Sequence, residues 1–457
     1  MAEPKITELV DFGKRAVKVA VGRGAEEAEA FLSMSSGTSI DIERGQIVRS
    51  IKRMDQGLGV RAVYRKAVGF SYTNTLTIKN IEEAAARAFR AARASRPDKN
   101  WLKFPSPKRC GETKDTYDKK IVAVSSAELM ETAAVMLGAV EAYDKRVLAV
   151  DGGVATSLFS TVVVNSHGVE AYDVGTGITC SMETIARDGA DVTPACFELN
   201  AERVYDIDPE GVGREAARQA VSSLKARKIG SGVFPVIFTQ AAFRSLLYYT
   251  LINSVKADYV QRERSALKDK IGEKVASELV TVYDDGLLDG GLLTSKFDGE
   301  GVPCQKTLVI DKGVLKHFLY DNYTANKVGA ESTGNASRTG LAPFASTPVL
   351  EASNFTFTGG NRTPEELLGE VDEGLLVYGV QGAHSSNPES GEFSVVATPV
   401  WKIEDGNVAY AVREVMLTGV VFDVLRNVSA LGNNVRKLGQ LVAPWIRVEN
   451  VRAVGRG

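Results

Sequence analysis

Apolar positions recur every three or four residues over 7–20, where Leu9, Phe12, Ala16 and Val19 fall on one helical face. The period then shortens to two. Ser39-Ile40-Asp41-Ile42-Glu43 reads as a half-buried strand, and 59–64 with 68–72 read as a meander across the short Arg65-Lys66 connection. Asn80 and Glu83 have capping-box spacing and open a helix whose apolar face is Ile81, Ala84, Ala85, Ala88, Phe89 and Ala92, ending before Arg96-Pro97. A polar, lysine-rich stretch over 97–120, broken by prolines at 97, 105 and 107, reads as a linker with a solvated charge. Ser125 and Glu128 cap a further helix bearing Leu129, Ala133, Met136, Leu137 and Val140 on one side. Strands over 159–165 and 169–172 flank the turn Asn165-Ser166-His167-Gly168, and Asp208-Pro209 starts a helix with Val212, Ala216, Ala220 and Leu224 aligned.

This succession predicts an α+β fold. The N-terminal α+β region, 1–228, consists of two helix-strand lobes, 1–96 and 121–228, joined by the 97–120 linker. The pattern changes after Lys228-Ile229-Gly230-Ser231-Gly232. One strand over 233–238 and one helix from Gln240 precede mainly short strands, with hairpins turning at Asp311-Lys312-Gly313 and Asp405-Gly406. A β-rich C-terminal domain over 229–457 follows from this.

Composition narrows the function classes. The 457 residues carry 55 Lys and Arg against 57 Asp and Glu, so no global basic field draws the chain to nucleic acid or anionic lipid. The longest apolar stretch, around 246–252, falls well short of the roughly 20 residues a membrane span needs. Residues 1–5 lead into the amphipathic segment without a signal-peptide apolar core, which points to a cytoplasmic protein. Four cysteines without Cys-x-x-Cys spacing read as reduced thiols.

His167 falls in a predicted turn and His317 in a predicted strand, and neither belongs to a local metal motif. Walker loops, Gly-x-Ser-x-Gly and His-Glu-x-x-His are all absent. Two small-polar runs stand out. Gly379 to Gly391 contains His384-Ser385-Ser386-Asn387 and could present hydroxyls and backbone amides to a ligand. Glu331 to Gly340 contains Asn335, Ser337 and Arg338, whose guanidinium suits a carboxylate such as a chain terminus. Each run is also explained as a structural loop rich in side chain to backbone turns.

At these loops the sequence resembles the TldD/PmbA family, and within it the PmbA (TldE) branch, along nearly the whole chain. The resemblance is carried by Asn165-Ser166-His167-Gly168-Val169-Glu170-Ala171, Asp208-Pro209-Glu210-Gly211-Val212-Gly213-Arg214-Glu215-Ala216-Ala217 and Ala226-Arg227-Lys228-Ile229. In the second domain it is carried by Phe297-Asp298-Gly299-Glu300-Gly301-Val302-Pro303, Gly313-Val314-Leu315-Lys316, Ser332-Thr333-Gly334-Asn335-Ala336, Asn387-Pro388-Glu389-Ser390-Gly391-Glu392-Phe393-Ser394 and Gly432-Asn433-Asn434. Order and spacing make the combination specific.

The resemblance implies a heterodimeric zinc protease acting on unfolded proteins or peptides, whose TldD subunit carries His-Glu-x-x-x-His on a helix and a later cysteine. Aligned through Pro235-Val236-Ile237, that motif falls here on Tyr248 to Asn253, and the cysteine on Ala397. Tyr248, Asn253 and Ala397 are poor zinc ligands and Tyr249 cannot serve as the general base. The resemblance therefore implies a noncatalytic subunit that binds no metal itself, with zinc in a TldD-like partner. Asn335, Ser337, Arg338, His384 and Asn387 are the candidate peptide-binding residues. Two rival readings stay open: a stand-alone hydrolase using His384 with Ser385 or Ser386, and a regulatory, peptide-binding homodimer.

Overall fold

The computed structural model describes residues 6–456; residues 1–5, read above as a non-signal N-terminus, lie outside them. The N-terminal half runs α1 (Ile6–Gly22), β1 (Glu27–Glu43), β2 (Gln46–Tyr64), β3 (Ala67–Thr73), α2 (Ile78–Ala94), α3 (Lys119–Ala123), α4 (Ser126–Tyr143), β4 (Val147–Asn165), β5 (Glu170–Asp188), β6 (Asp191–Val192), β7 (Cys196–Glu202) and α5 (Pro209–Ser222). Antiparallel pairing joins the strands in the order β3-β2-β1-β4-β5, with β6 and β7 both on β5. The strands of both predicted lobes thus meet in one seven-stranded sheet, β1 lying against β4 from Glu29↔Asn165 to Glu43↔Asp151.

Alternation along these long strands sorts the two faces. On β1, Ala28, Ala30 and Leu32 pack under α1 and α2. Ile40 and Ile42, on the same face, pack under α4 and α5. The odd-numbered positions turn the other way, and Phe31 there meets Val163, Phe297 and Phe344 from the second half of the chain.

Local chemistry explains most element ends. Ser125 and Glu128 form the expected capping box, and Asp208 caps α5 with Pro209 in its first turn. The start of α2 differs from expectation. Thr77, not Asn80, is the cap, its hydroxyl accepting from the Asn80 amide. The 97–120 segment is irregular as predicted, but it is docked and not simply solvated. Trp101 and Phe104 are buried edge to face, and Glu27 accepts from the Trp101 indole (3.1 Å) and the Phe104 amide (2.8 Å).

The C-terminal half begins with β8 (Gly232–Phe238), α6 (Gln240–Tyr249), α7 (Leu251–Ser254) and α8 (Ala257–Gln261). β8 sits inside a nine-stranded sheet between Ile446–Val454, antiparallel, and Glu373–Val377, parallel. A six-stranded sheet built on Val282–Asp285, Lys306–Asp311 and Phe355–Phe357 lies on the other side of one large apolar core. That core receives Phe243, Leu246, Leu247, Leu251 and Ile252 from α6 and α7. The expected strand over 314–320 shrinks to Val314–Leu315, which leaves His317 exposed on an irregular segment whose Phe318 and Leu319 are buried.

Candidate functional site

The helix that bears the degenerate motif is broken inside it. α6 ends at Tyr249, and Thr250 takes φ −119° and ψ −90° before α7 begins. In a regular helix, side chains five apart point about 140° from one another. The break lies between Tyr248 and Asn253 and resets that angle. Hydroxyls take up groups at the break: Thr250 Oγ1 donates to the Leu246 carbonyl (2.7 Å), and Ser265 Oγ donates to the Ser254 carbonyl (2.6 Å). Ser254 Oγ lies within bonding distance of the carbonyls of Thr250 (3.0 Å) and Pro388 (2.9 Å). Pro388 belongs to the second small-polar run, which is thereby seated against the broken helix. Arg264 adds an exposed ion pair to Glu389 at 2.6 Å.

Tyr248 and Tyr249 are half-buried, their rings perpendicular with centroids 4.8 Å apart. Burial pushes the Tyr248 phenol up, and the Glu351 carboxylate adds to this. The exposed His384 ring stands edge-on to Tyr249, centroids 6.5 Å apart. Ala397 is buried in the strand Glu392–Ala397, opposite Val380. A phenol, an amide and a methyl group do not fit a zinc ion, and Tyr249 supplies no carboxylate to activate water. Among the described residues, no three His, Cys, Asp or Glu side chains are grouped to hold a metal.

Nor is there a nucleophile and base pair at His384. Ser385 Oγ donates to the Gly382 carbonyl (2.7 Å), and Ser386 Oγ, buried, has no hydrogen-bond partner. Asn387 is exposed, and its side-chain oxygen accepts from the Glu389 amide at 2.8 Å, closing the local turn.

The first small-polar run lies beside a cavity of about 250 Å³ whose walls include Phe31, Thr161, Asp298, Ser337 and Glu351. Asn335 and Arg338 line it but are 4% and 8% exposed, and their polar atoms are engaged inward. Asn335 donates to Asp284 (2.6 Å) and to the Glu351 carbonyl (3.0 Å). Arg338 donates to the carbonyls of Gly299 and Ser346 and to the carboxylate of Glu29. Ser337 is half-exposed and pairs through its backbone with Val349. Glu351 connects the two regions, since it lines this cavity, accepts from Lys256 at 3.1 Å and lies near Tyr248.

Sequence reasoning missed a buried charge cluster behind the cavity. Arg61 bonds both oxygens of Glu29 (3.0 and 2.6 Å) and Glu300 (2.7 Å), while Arg338 shares the Oε1 oxygen of Glu29 with it. Burial acts against charge on Glu29, but the two guanidiniums outweigh it and hold its pKa below the usual range. Burial raises Glu300 instead, with Arg61 opposing and Glu29 and Asp321 reinforcing. A charged residue in an alternating strand reads as solvent-facing unless its partner, hundreds of positions away, is known.

Asp284 titrates in an accessible range. Burial pushes it up to about 6, although Asn335 and Ser353 donate to it. Because its folded pKa is raised, its stabilising contribution is fully present below the unfolded carboxylate range and is lost as pH rises through about 6. Relative to Asp284→Asn, the wild-type chain should lose about 3 kcal/mol between about pH 4 and about pH 7. Urea unfolding of both proteins across that range checks this; parallel curves would assign the carboxylate an ordinary pKa.

An N-terminal α+β sheet joined to a β-rich half with a broken helix has counterparts of the same fold among solved structures. The solved structure of TldE from Thermococcus kodakarensis superposes at TM-score 0.90 with 29% identity, covering 98% of this chain and 99% of that one. A second, from Thermotoga maritima, gives 0.88 with 27% identity over 98% and 100%. Three family models match in order: PmbA/TldA metallopeptidase domain 1 over 28–92, the central domain over 119–224 and the C-terminal domain over 231–455. The chain belongs to the PmbA/TldD metallopeptidase family. An uncharacterised protein of Methanocaldococcus jannaschii is 31% identical, covering 92% of this chain and 94% of its own. The metalloprotease PmbA of Escherichia coli O157:H7 is 26% identical over 96% and 95%.

Proposed function

We propose that this chain is the noncatalytic, TldE/PmbA-like subunit of a two-subunit TldD/TldE-type zinc metalloprotease that processes unfolded proteins or peptides in the cytoplasm. The observation that carries the reading is the donor set at the broken helix: Tyr248, Tyr249, Asn253 and Ala397 stand where ligands and base would be required. The TldD-like partner supplies zinc and water activation through His-Glu-x-x-x-His. This chain completes and covers the peptide cleft.

Ser337, His384 and Asn387 are the accessible polar members of the candidate peptide surface, with Tyr248 and Tyr249 as its aromatic part. Asn335 and Arg338 act there by holding the loop that carries Ser337 in place.

The test is reconstitution. The purified chain, with or without added zinc, should not cleave casein or short peptides. Co-expressed with a TldD-like subunit, it should co-elute as a heterodimer and raise that subunit's peptide cleavage by about tenfold or more, the scale expected when a cleft is completed. Zinc-independent cleavage by the chain alone, lost in His384→Ala, would instead select the stand-alone hydrolase. A stable homodimer that ignores the TldD-like subunit would select the regulatory reading.

A further inference from the structure

The longest unpaired strand edge among the described residues lies on β2. β1 covers one side of β2 along its whole length, but β3 covers the other only from Leu58 to Tyr64. Residues 46–57 therefore run unpartnered for about 40 Å, with every second residue directing its N–H and C=O outward. Natural edges of this length are usually guarded by proline, a bulge, charged side chains or a covering element. This stretch has no proline and its one bulge is near its start, at Val48; its register is regular from Arg49 to Val63, and Met54 and Val48 are 72% and 46% exposed.

Charge selects the occupant. Arg49 is already paired with Asp41 (2.6 Å) and Glu43 (3.4 Å) on β1. Lys52 and Arg53 form no ion pair among the described residues, so two adjacent cations, one on each face, stand at the middle of the free edge. A second copy fits poorly. In antiparallel pairing about a twofold axis the opposed residue numbers sum to a constant even value. Centring on Ile51 sets Arg49 against Arg53 of the second copy, and centring on Lys52 sets that lysine against itself while setting Arg49 against Asp55. Like charges directly opposed are destabilising. Both registers that pair most of the edge thus oppose like charges, whereas an acidic strand opposes none to Lys52 and Arg53.

We propose that residues 46–57 of β2 are a strand-docking edge for an extended acidic peptide segment, held by main-chain hydrogen bonds and by carboxylates beside Lys52 and Arg53. This deepens the peptide-handling part of the function proposed above and rests on it; it names where substrate outside the cleft is held and which charge it carries. Because peptide binding is measured on this chain alone, its failure leaves the reconstituted cleavage assay, and with it the subunit reading, standing.

The probes are a short fluorescent peptide with two adjacent glutamates, one for each face, between valines and its lysine counterpart, titrated into the full chain by anisotropy. The glutamate peptide should bind about tenfold more tightly than the lysine peptide, the sum of two cross-strand charge pairs. Lys52→Glu with Arg53→Glu should reverse that preference. A glutamate peptide methylated on alternate backbone nitrogens should lose binding to the unaltered chain, a control that needs no variant to fold. Equal affinity for the two peptides, indifference to backbone methylation, or a homodimer abolished by Ser50→Pro would each overturn the proposal.

Discussion

Replacing Glu29 by alanine is expected to destabilise the chain by about 3–5 kcal/mol, the cost of removing one partner from a buried charge cluster. Glu29 is fully buried on β1, and among the described residues it alone bonds both Arg61 and Arg338, whose side chains are 7% and 1% exposed. Without it, two guanidiniums would face each other across a low-dielectric space, with Glu300 left to balance them. The cluster also joins halves of the molecule: Glu29 and Arg61 belong to the N-terminal sheet, whereas Glu300 and Arg338 belong to loops of the C-terminal half. Loss of Glu29 should therefore separate these surfaces before either core melts. Guanidinium unfolding followed by tryptophan fluorescence is the measurement. Trp101 packs on Phe104, and Phe104 lies 4.9 Å beneath the Arg61 guanidinium, so its emission should change in an early transition. Glu29→Gln, which keeps the volume and one acceptor, should cost less. An Ala variant that unfolds at the wild-type midpoint would remove the cluster from any structural role.

Much of the architecture was legible because long strands advertise themselves. Alternation over 39–43, 59–64 and 68–72, helix caps at Ser125 and Asp208, and the shift to short strands after Gly232 each have a local physical cause. What was not legible is pairing at a distance. Nothing in residues 27–38 says that they lie between β2 and β4, so how the strands of the two lobes relate was not readable, and they are found in one sheet. The candidate site divides along the same line. The identity of Tyr248, Tyr249, Asn253 and Ala397 is a sequence fact, whereas the break at Thr250 is visible only in the structure. The exposure of a polar loop is not a sequence fact. Asn335 and Arg338 look like ligand-binding groups in a small-polar run, yet the partners that consume them, Asp284 and Glu29, come from elsewhere in the chain. Glycines in that region mark close approach as much as turning: a Cβ on Gly59 would sit 2.2 Å from the Phe344 carbonyl oxygen.

Installing three ligands should turn this helix into a metal site. The combined variant Tyr248→His, Asn253→His and Ala397→Cys is expected to take up about one zinc per chain with a Kd at or below about 1 μM, a binding free energy of about −8 kcal/mol. The backbone supports this because Thr250 departs from helical geometry between the first two positions, the interruption that a five-residue ligand spacing needs. The third position lies on the strand paired with Val380, and that short strand packs beside α6. Two histidines and a thiolate are a donor set zinc accepts, with a coordination place left over. Adding Tyr249→Glu should change hydrolysis, not affinity, since that residue stands where the base would act and not where the ion is held. Metal content after dialysis, with isothermal titration, reads the outcome. Uptake by the triple variant alone would locate the difference from a catalytic subunit in side chains, leaving the fold itself competent. A triple variant that stays metal-free would locate it in the backbone, and stoichiometric zinc in the unaltered chain would remove the reason for assigning hydrolysis to a partner.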